Sequence, residues 1–147
     1  MAEVSDLHSG LTRLRLPTIR RVCTAMQARA EAEGWTYREF LEHLVTEELA
    51  HRADTRMQRA TKKARFPFVK TIEEFDFTFQ SSVKRQALGR FLGPEFVSEG
   101  RTAILYGKPG RGKTHLATAF AYKAIQNGFS ARFATLAQML NNLNRAA

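Results

Sequence analysis

The stretch that decides the fold runs from Thr102 to Thr114: Thr-Ala-Ile-Leu-Tyr-Gly-Lys-Pro-Gly-Arg-Gly-Lys-Thr. Its first part, Thr102–Tyr106, is a short apolar run bounded by turn residues, which is typical of a buried parallel strand. The remainder, Gly107–Thr114, satisfies the pattern G-x-x-x-x-G-K-[ST] at every fixed position. A strand that leads through such a loop into a helix predicts a phosphate-binding loop.

Each fixed position of this loop has a chemical reason. Glycines let the backbone curl so that successive N–H groups point at phosphate oxygens, and the following helix presents its positive end to the same anion. Lys113 is expected to bridge the β- and γ-phosphates of ATP, and the Thr114 hydroxyl to hold Mg²⁺. The predicted nucleotide-binding residues are Gly107, Lys108, Pro109, Gly110, Arg111, Gly112, Lys113 and Thr114.

The chain beyond the loop continues the same pattern. Residues His115 to Gln126 predict a helix, Ser130 to Phe133 a second strand, and a last helix begins near Thr135. Strand, loop, helix, strand and helix in succession predict an α/β fold. We therefore expect residues 66–147 to form a P-loop nucleotide-binding core.

The first 65 residues predict a separate helical module. Pro17 suits the first turn of a helix, and Gly34 ends the apolar periodicity that follows. Thr36 and Glu39 have the spacing of a capping box, so a second helix is expected to start there and to run to about Ala64. Two amphipathic helices joined by a short turn make a helical hairpin.

An aromatic-rich connector lies between the two parts. Phe75, Phe77 and Phe79 alternate with polar residues, which predicts an extended segment with one covered face. A short helix is expected over Ser82 to Phe91, with Gly93-Pro94 as its breaker.

The charge distribution points to an anionic partner. The chain of 147 residues has a net charge of +9, which favours nucleic acid over a membrane surface. Basic residues are concentrated between Arg52 and Lys70, where Asp54 is the one acidic residue. A solvated helix face and contact with DNA phosphates both fit this pattern. The candidate DNA-binding residues, at helical spacing, are Arg52, Arg56, Arg59 and Lys63.

Other features of the sequence limit the class of protein. No apolar run approaches the ~20 residues that a transmembrane helix needs, and no signal-peptide pattern opens the chain. We therefore expect a cytoplasmic protein without a membrane partner. Cys23 is the single cysteine, so an internal disulfide is excluded.

Carboxylates are missing where ATP hydrolysis needs them. Hydrolases of this class use an acidic residue at the end of a neighbouring strand to fix Mg²⁺ and to orient the attacking water. No Asp or Glu follows Glu99, and the upstream acids Glu73, Glu74 and Asp76 lie in the connector. Little or no hydrolysis is expected from this chain alone.

Three stretches resemble one known family. The loop and its continuation, Gly107–Ala117, resemble those of IstB-like and DnaC-like AAA+ ATPases, in which His-Leu-Ala follows the loop. The connector Ala64–Phe77 and the helical turn Glu33–Leu41 resemble the IstB type specifically. The likeness extends from about Leu14 to Leu143.

This resemblance implies an ATP-dependent helper of an insertion-sequence transposase. It implies a helical N-terminal domain that supports assembly and an AAA+ domain that binds ATP and DNA as a homo-oligomer. The chain lacks the family's acidic strand motif, sensor residue, arginine finger and C-terminal lid, so a truncated or interrupted gene product is the hypothesis. In AAA+ sheets the first two strands are not neighbours, and both strands predicted here would lack their partners.

Alternatives stay open at this point. A DnaC-like helicase loader shares the loop and its His-Leu-Ala continuation, and a transposase gene next to this one would discriminate against it. A noncatalytic DNA-binding or oligomerisation fragment is favoured by the missing carboxylates and disfavoured by the intact Lys113 and Thr114. A small-molecule kinase is a distant further alternative, because the chain ends before a substrate site.

Overall fold

The structure, a computed structural model, describes residues 6–80 and 83–146. Its helices are α1 (Leu7–Arg13), α2 (Pro17–Glu33), α3 (Tyr37–Ala64), α4 (Arg85–Leu88) with a 3₁₀ turn at Gly89–Phe91, α5 (Pro94–Ser98), α6 (Lys113–Gln126) and α7 (Leu136–Ala146). The contacts divide the chain into two compact units, Met1–Arg56 and Met57–Ala147. The division falls inside α3, whereas the sequence predicts a limit after residue 65, and that domain limit stays a prediction.

Local signals place α2 and α3 where the sequence predicts them. α2 starts at Pro17, and Gly34 ends it in the left-handed conformation, with a φ of 68°. The backbone N–H of Thr36 donates to the Glu39 carboxylate at 2.7 Å, and the N–H of Glu39 donates to the Thr36 hydroxyl at 3.3 Å. This reciprocal pair is the predicted capping box. The short helix α1, capped by Asp6, was not predicted.

A buried carboxylate joins α2 to α3. The residue before α2, Leu16, has no side-chain acceptor, so the first N–H groups of the helix need one from elsewhere. Glu48 of α3 supplies it, accepting from the N–H of Thr18 at 2.9 Å and of Ile19 at 3.1 Å. Arg52 donates to the other carboxylate oxygen at 2.8 Å. Glu48 is only 3% exposed, and these donors satisfy its charge inside the unit.

The pKa of Glu48 reflects two opposing effects. Burial disfavours the charged carboxylate and by itself raises the pKa. Hydrogen bonds from Arg52 and from the backbone of Ile19 and Thr18 favour the charged form and outweigh burial, so the pKa lies below the ordinary glutamate value. Glu48 therefore acts as an ionised cap for α2.

The core of the second unit forms around α6. Its buried apolar residues are Ile72, Phe75, Leu88, Leu116, Ala119 and Phe120. Asn127, at the end of α6, fastens this core to the preceding segment by donating to the Leu92 carbonyl at 2.9 Å. Residues of the connector, of α4 and of α6 thus share one core, which supports the loop that begins α6.

The α/β prediction is not confirmed by the described residues, because neither Thr102–Tyr106 nor Ser130–Phe133 is assigned as a strand. A strand exists only where a neighbouring backbone completes its hydrogen bonds. Within residues 6–80 and 83–146, these two segments do not pair with each other. The side chains of Ile104 and Tyr106 are 83% and 93% exposed instead of buried.

The connector also differs from the expected extended segment. The Asp76 carboxylate accepts from the backbone N–H of Thr78 at 2.9 Å and of Phe79 at 3.0 Å, which turns the chain after Asp76. Phe75 is buried and Phe77 packs against the same core, while Phe79 is 65% exposed, so the third phenylalanine does not share the covered face of the first two. The Thr78 hydroxyl also donates to this carboxylate at 2.6 Å. This bond first, and then those from the backbone N–H groups of Phe79 and Thr78, lower the pKa of Asp76.

Helix boundaries between the connector and the loop were only partly predicted. The helix expected over Ser82 to Phe91 is α4 followed by the 3₁₀ turn, and Ser82 lies outside the described residues. Gly93-Pro94 does not simply break this helix, because Pro94 starts α5 from the first-turn position that proline favours.

Candidate functional site

The loop 107–114 has the backbone conformation that its glycines permit. Gly107, Gly110 and Gly112 have φ angles of 144°, 75° and 76°, in the region that other residues rarely adopt. Gly112 immediately precedes α6, so the loop leads directly into the helix N-terminus. Backbone N–H groups of a first helical turn lack partners within the helix and are available to an anion.

The connector packs beneath the loop at Gly112. A β-carbon added at Gly112 would lie 2.6 Å from a ring carbon of Phe75, which no real side chain tolerates. Phe75 is itself buried in the core of the second unit. Because Gly112 has no side chain, its backbone can adopt the left-handed conformation and can pack closely on Phe75 of the connector.

The side chain of Lys113 contacts the backbone of its own loop. Its ammonium group donates a hydrogen bond to the carbonyl oxygen of Lys108 at 2.8 Å, which folds the side chain across the loop. The charge is therefore held against the backbone of the loop itself. Thr114, the next residue, is exposed in the first turn of α6.

His115 connects α6 to the connector. Its imidazole N–H donates to the carbonyl oxygen of Thr71 at 2.9 Å, and its ring meets Phe75 edge-on at 5.3 Å between centroids. His115 is half-buried as a result. Its role is to hold the residue after the loop against the core.

A cavity of about 370 Å³ opens beside the loop. Its cationic lining consists of Lys108, Arg111 and Lys113, and its apolar lining includes Leu105 and Leu116. Arg111 also lies over the exposed ring of Phe79, 5.6 Å from the centroid. The volume is in the range of small-ligand pockets, about 300–1,000 Å³, and cations beside an apolar wall suit a phosphorylated ligand with a ring.

The residues present fit ATP better than they fit a complete magnesium site. Lys113, the glycine backbone and the helix N-terminus all favour a polyphosphate. Thr114 offers one hydroxyl oxygen to Mg²⁺, but no carboxylate from the described part of the chain lines the cavity. Glu74 is paired with Lys70 at 3.0 Å, and no cluster of acidic, histidine or cysteine ligands occurs in the described part of the chain.

The four candidate DNA-binding residues differ in their surroundings. Arg52 is engaged by Glu48 and by the backbone carbonyl of Arg15, so it holds the first unit together. Arg59 and Lys63 are exposed on α3, as is Arg56. The first two of the four, Arg52 and Arg56, belong to the first unit, and Arg59 and Lys63 to the second.

Reasoning from sequence missed Glu48 and the packing of His115. A signal for Glu48 existed: α2 begins at Leu16-Pro17 without a capping side chain, and Glu48 follows Leu44 by one turn on the apolar stripe of α3. No comparable signal pointed from His115 to Thr71, because the two residues are far apart in sequence.

Among the described residues, no helix combines the length and the apolar character needed to span a bilayer.

Known proteins similar to this chain come from insertion sequences. The chain is 36% identical over 141 residues to the "Insertion sequence IS21 putative ATP-binding protein" of Pseudomonas aeruginosa, covering 96% of this chain and 53% of that protein. It is 34% identical over 140 residues to the "Insertion sequence IS5376 putative ATP-binding protein" of Geobacillus stearothermophilus, covering 95% and 56%. The chain thus spans about half the length of these relatives.

A family model gives the same assignment. The model described as "IstB-like ATP binding protein" matches residues 9–147, which include most of the first unit, all of the second unit and the entire loop. A third relative, the "Putative ATP-binding protein Rv3427c in insertion sequence" of Mycobacterium tuberculosis, is 30% identical over 137 residues, covering 93% of this chain and 55% of that protein. The resemblance inferred from three stretches of sequence is therefore confirmed, and the chain belongs to the IstB-like ATP binding protein family.

Proposed function

We propose that the chain binds ATP, with Mg²⁺, through residues 107–114 and serves as the ATP-dependent helper of an insertion-sequence transposase. The observation that carries this proposal is the position of Lys113, whose ammonium lies across a glycine loop at the start of α6. The relatives bear the words "ATP-binding protein" and "insertion sequence" in their names, which supports both halves of the proposal.

Each loop residue has a proposed part in nucleotide binding. Glycine N–H groups and the first turn of α6 hold the phosphates, while Lys113 leaves the Lys108 carbonyl and pairs with them. The Thr114 hydroxyl contributes one ligand to Mg²⁺, which would balance the charge of the phosphates. The base is proposed to lie against the apolar wall of the cavity, near Phe79, which already stacks with Arg111.

The proposed architecture is that of an AAA+ ATPase acting in the cytoplasm as a homo-oligomer on DNA. Thr102–Tyr106 and Ser130–Phe133 are the proposed positions of its first two strands. The exposed Ile104 and Tyr106 support this assignment, because side chains of a central strand are apolar and require covering. Arg59 and Lys63, exposed near the end of α3, are proposed to contact the DNA backbone, without base specificity.

A noncatalytic role is a second candidate, and a specific observation favours it. Within residues 6–80 and 83–146, no carboxylate lines the cavity beside the loop, so none of these residues is placed there to fix Mg²⁺ or to orient an attacking water. In this case the chain would bind ATP and DNA without turnover, and nucleotide binding would control assembly instead of driving it.

Isothermal titration calorimetry with ATP, ADP and AMP, each with Mg²⁺, tests the proposal. A loop that recognises phosphates should bind ATP and ADP and should fail to bind AMP at the same concentrations. Equal binding of AMP would show that the base alone is recognised, and no binding of any nucleotide would refute the proposal. Copurification with an insertion-sequence transposase would separate a transposition helper from a helicase loader.

A further inference from the structure

A second cationic cavity lies in the same unit as the ATP loop but shares no residue with it. Its volume is about 390 Å³, and three arginines, Arg65, Arg132 and Arg145, line it. Three side-chain amides, from Gln138, Asn141 and Asn142, line the same cavity. No acidic residue is among its lining residues.

One backbone contact brings two of these arginines together from distant parts of the sequence. The N–H of Phe133 donates to the carbonyl oxygen of Ala64 at 2.7 Å, which ties the segment after α6 to the end of α3. Arg65 follows Ala64 in the chain, and Arg132 precedes Phe133. This backbone contact therefore brings Arg65 and Arg132 to the same cavity.

The third arginine and the amides come from one face of α7. Gln138, Asn141, Asn142 and Arg145 recur at helical spacing, and the apolar residues between them, Met139, Leu140 and Leu143, are exposed. The polar face of α7 therefore lines the cavity, and its apolar face is exposed. An ordinary amphipathic helix instead packs its apolar face against a core. Amide and guanidinium groups are all hydrogen-bond donors suited to phosphate oxygens.

The arginines carry unbalanced charge. No ion pair involves Arg65, Arg132 or Arg145 within residues 6–80 and 83–146. Arg65 also occupies the left-handed region, with a φ of 55°, at a position after a helix that glycine or asparagine usually fills. Like charges gathered without a counter-charge repel one another, so an anionic ligand would stabilise this arrangement.

We infer that this cavity binds phosphates of a DNA backbone. This inference deepens the proposed contact with DNA and uses residues separate from those of the ATP loop. A polymer suits the site better than a single free phosphate, because the lining residues of α7 extend from Gln138 to Arg145, which are seven residues or ~10 Å apart along the helix. One strand of duplex DNA carries a phosphate about every 3.4 Å of its axis, so such a length meets several of them.

The test is the affinity of the full chain for a short fluorescein-labelled DNA duplex, measured by anisotropy without nucleotide over a range of NaCl concentrations. One variant combines Arg65→Asn, Arg132→Gln and Arg145→Gln. Its matched control combines Arg85→Gln, Arg90→Gln and Arg101→Gln, which removes the same charge from exposed positions of the same unit. Thermal melting followed by circular dichroism verifies that both variants fold.

We expect the cavity variant to lose DNA affinity by about ten-fold or more and its salt dependence to weaken by about two to three phosphate contacts. The control should stay within about three-fold of the unmodified chain, since it changes only the long-range field. Equal losses in both variants, or no loss in either, would overturn the inference.

Two further measurements separate the remaining explanations. Inorganic phosphate should displace the DNA no better than NaCl of the same ionic strength, and displacement specific to phosphate would assign the cavity to a small anion instead. Fluorescent ATP should bind the cavity variant as it binds the unmodified chain. Loss of DNA affinity in a chain that binds no ATP would support the cavity while refuting the proposed ATP-dependent function.

Discussion

The ring of Phe75 lies 2.6 Å from the point that a β-carbon on Gly112 would occupy. Gly112 is the residue immediately before α6, and Phe75 belongs to the connector and to the buried core. A residue outside the loop pattern, Phe75, therefore packs against the phosphate-binding loop. The geometry of the loop depends on the connector as much as on its own glycines.

Gly112→Ala should impair both stability and ATP binding. Alanine at a φ of 76° is strained by about 1–2 kcal/mol, and its methyl group must also displace the Phe75 ring. We expect a lower melting temperature and a loss of fluorescent-ATP affinity of about ten-fold or more. Gly89→Ala is the matched control, because Gly89 is helical and a β-carbon there meets nothing within 4 Å. Unchanged ATP affinity in Gly112→Ala would refute this account of the loop.

Glu48→Gln should destabilise the first unit. The substitution leaves Arg52 beside an uncharged amide and weakens the cap on α2. Removing one partner of a buried ion pair costs about 3–5 kcal/mol in general, and the amide that remains can still accept, so we expect about 2–3 kcal/mol in urea denaturation. Glu42→Gln, which breaks the exposed Arg38–Glu42 pair, should cost less than about 0.5 kcal/mol. Similar costs for the two variants would contradict the assigned role of Glu48.

Acid should remove the contribution of Glu48 to stability. Because its pKa is lower in the folded chain than in the unfolded chain, the contribution is complete above the ordinary glutamate pKa. It is lost as the pH falls through the lowered folded value. The urea midpoint of the unmodified chain should therefore fall more steeply in acid than that of Glu48→Gln. Parallel curves would show that Glu48 does not contribute through its charge.

Arg52 and Arg59 should respond differently to substitution although both belong to the basic stretch. Arg52→Gln removes a donor to Glu48, so urea denaturation should show a less stable chain. Arg59→Gln, together with Lys63→Gln, should leave stability unchanged and reduce DNA affinity with a weaker salt dependence. The reverse outcome, with Arg52 affecting only DNA binding, would contradict the contacts described here.

Local sequence patterns predicted the parts of the fold that depend on near neighbours. The loop 107–114, the capping box at Thr36 and Glu39, and the end of α2 at Gly34 all rely on interactions within a few residues. These features could therefore be predicted from the sequence. The turn after Asp76 also depends on near neighbours, but it was not predicted, because the alternation of phenylalanines and polar residues is typical of an extended segment.

Longer-range features could not be predicted in this way. Glu48 caps a helix some thirty residues earlier, and the uncapped start at Leu16 indicates only that a partner is needed, without indicating which residue supplies it. The second cavity depends on the contact between Ala64 and Phe133, which joins distant segments. The two predicted strands illustrate the opposite error, because apolar composition indicated strands whose pairing the described residues do not show.

ATP turnover by this chain should be negligible. Among the residues that the structure describes, no carboxylate lines the cavity beside the loop, and two acids of the connector, Glu74 and Asp76, are engaged by Lys70 and by Thr78. Phosphate release from ATP should therefore equal that of Lys113→Ala within error, even with DNA present. Turnover that Lys113→Ala abolishes would show that a carboxylate reaches the site and would remove the noncatalytic alternative.

Equilibrium titration of the chain with fluorescent ATP and Mg²⁺ tests the central claim most directly. Lys113→Ala is the informative variant, and Lys84→Ala, at an exposed position before α4, is its control. Saturable binding that Lys113→Ala reduces by at least about a hundred-fold, and Lys84→Ala leaves intact, is the predicted result, since Lys113 forms charge-assisted bonds to phosphate. Binding that is absent from the unmodified chain, or indifferent to Lys113, would contradict the account.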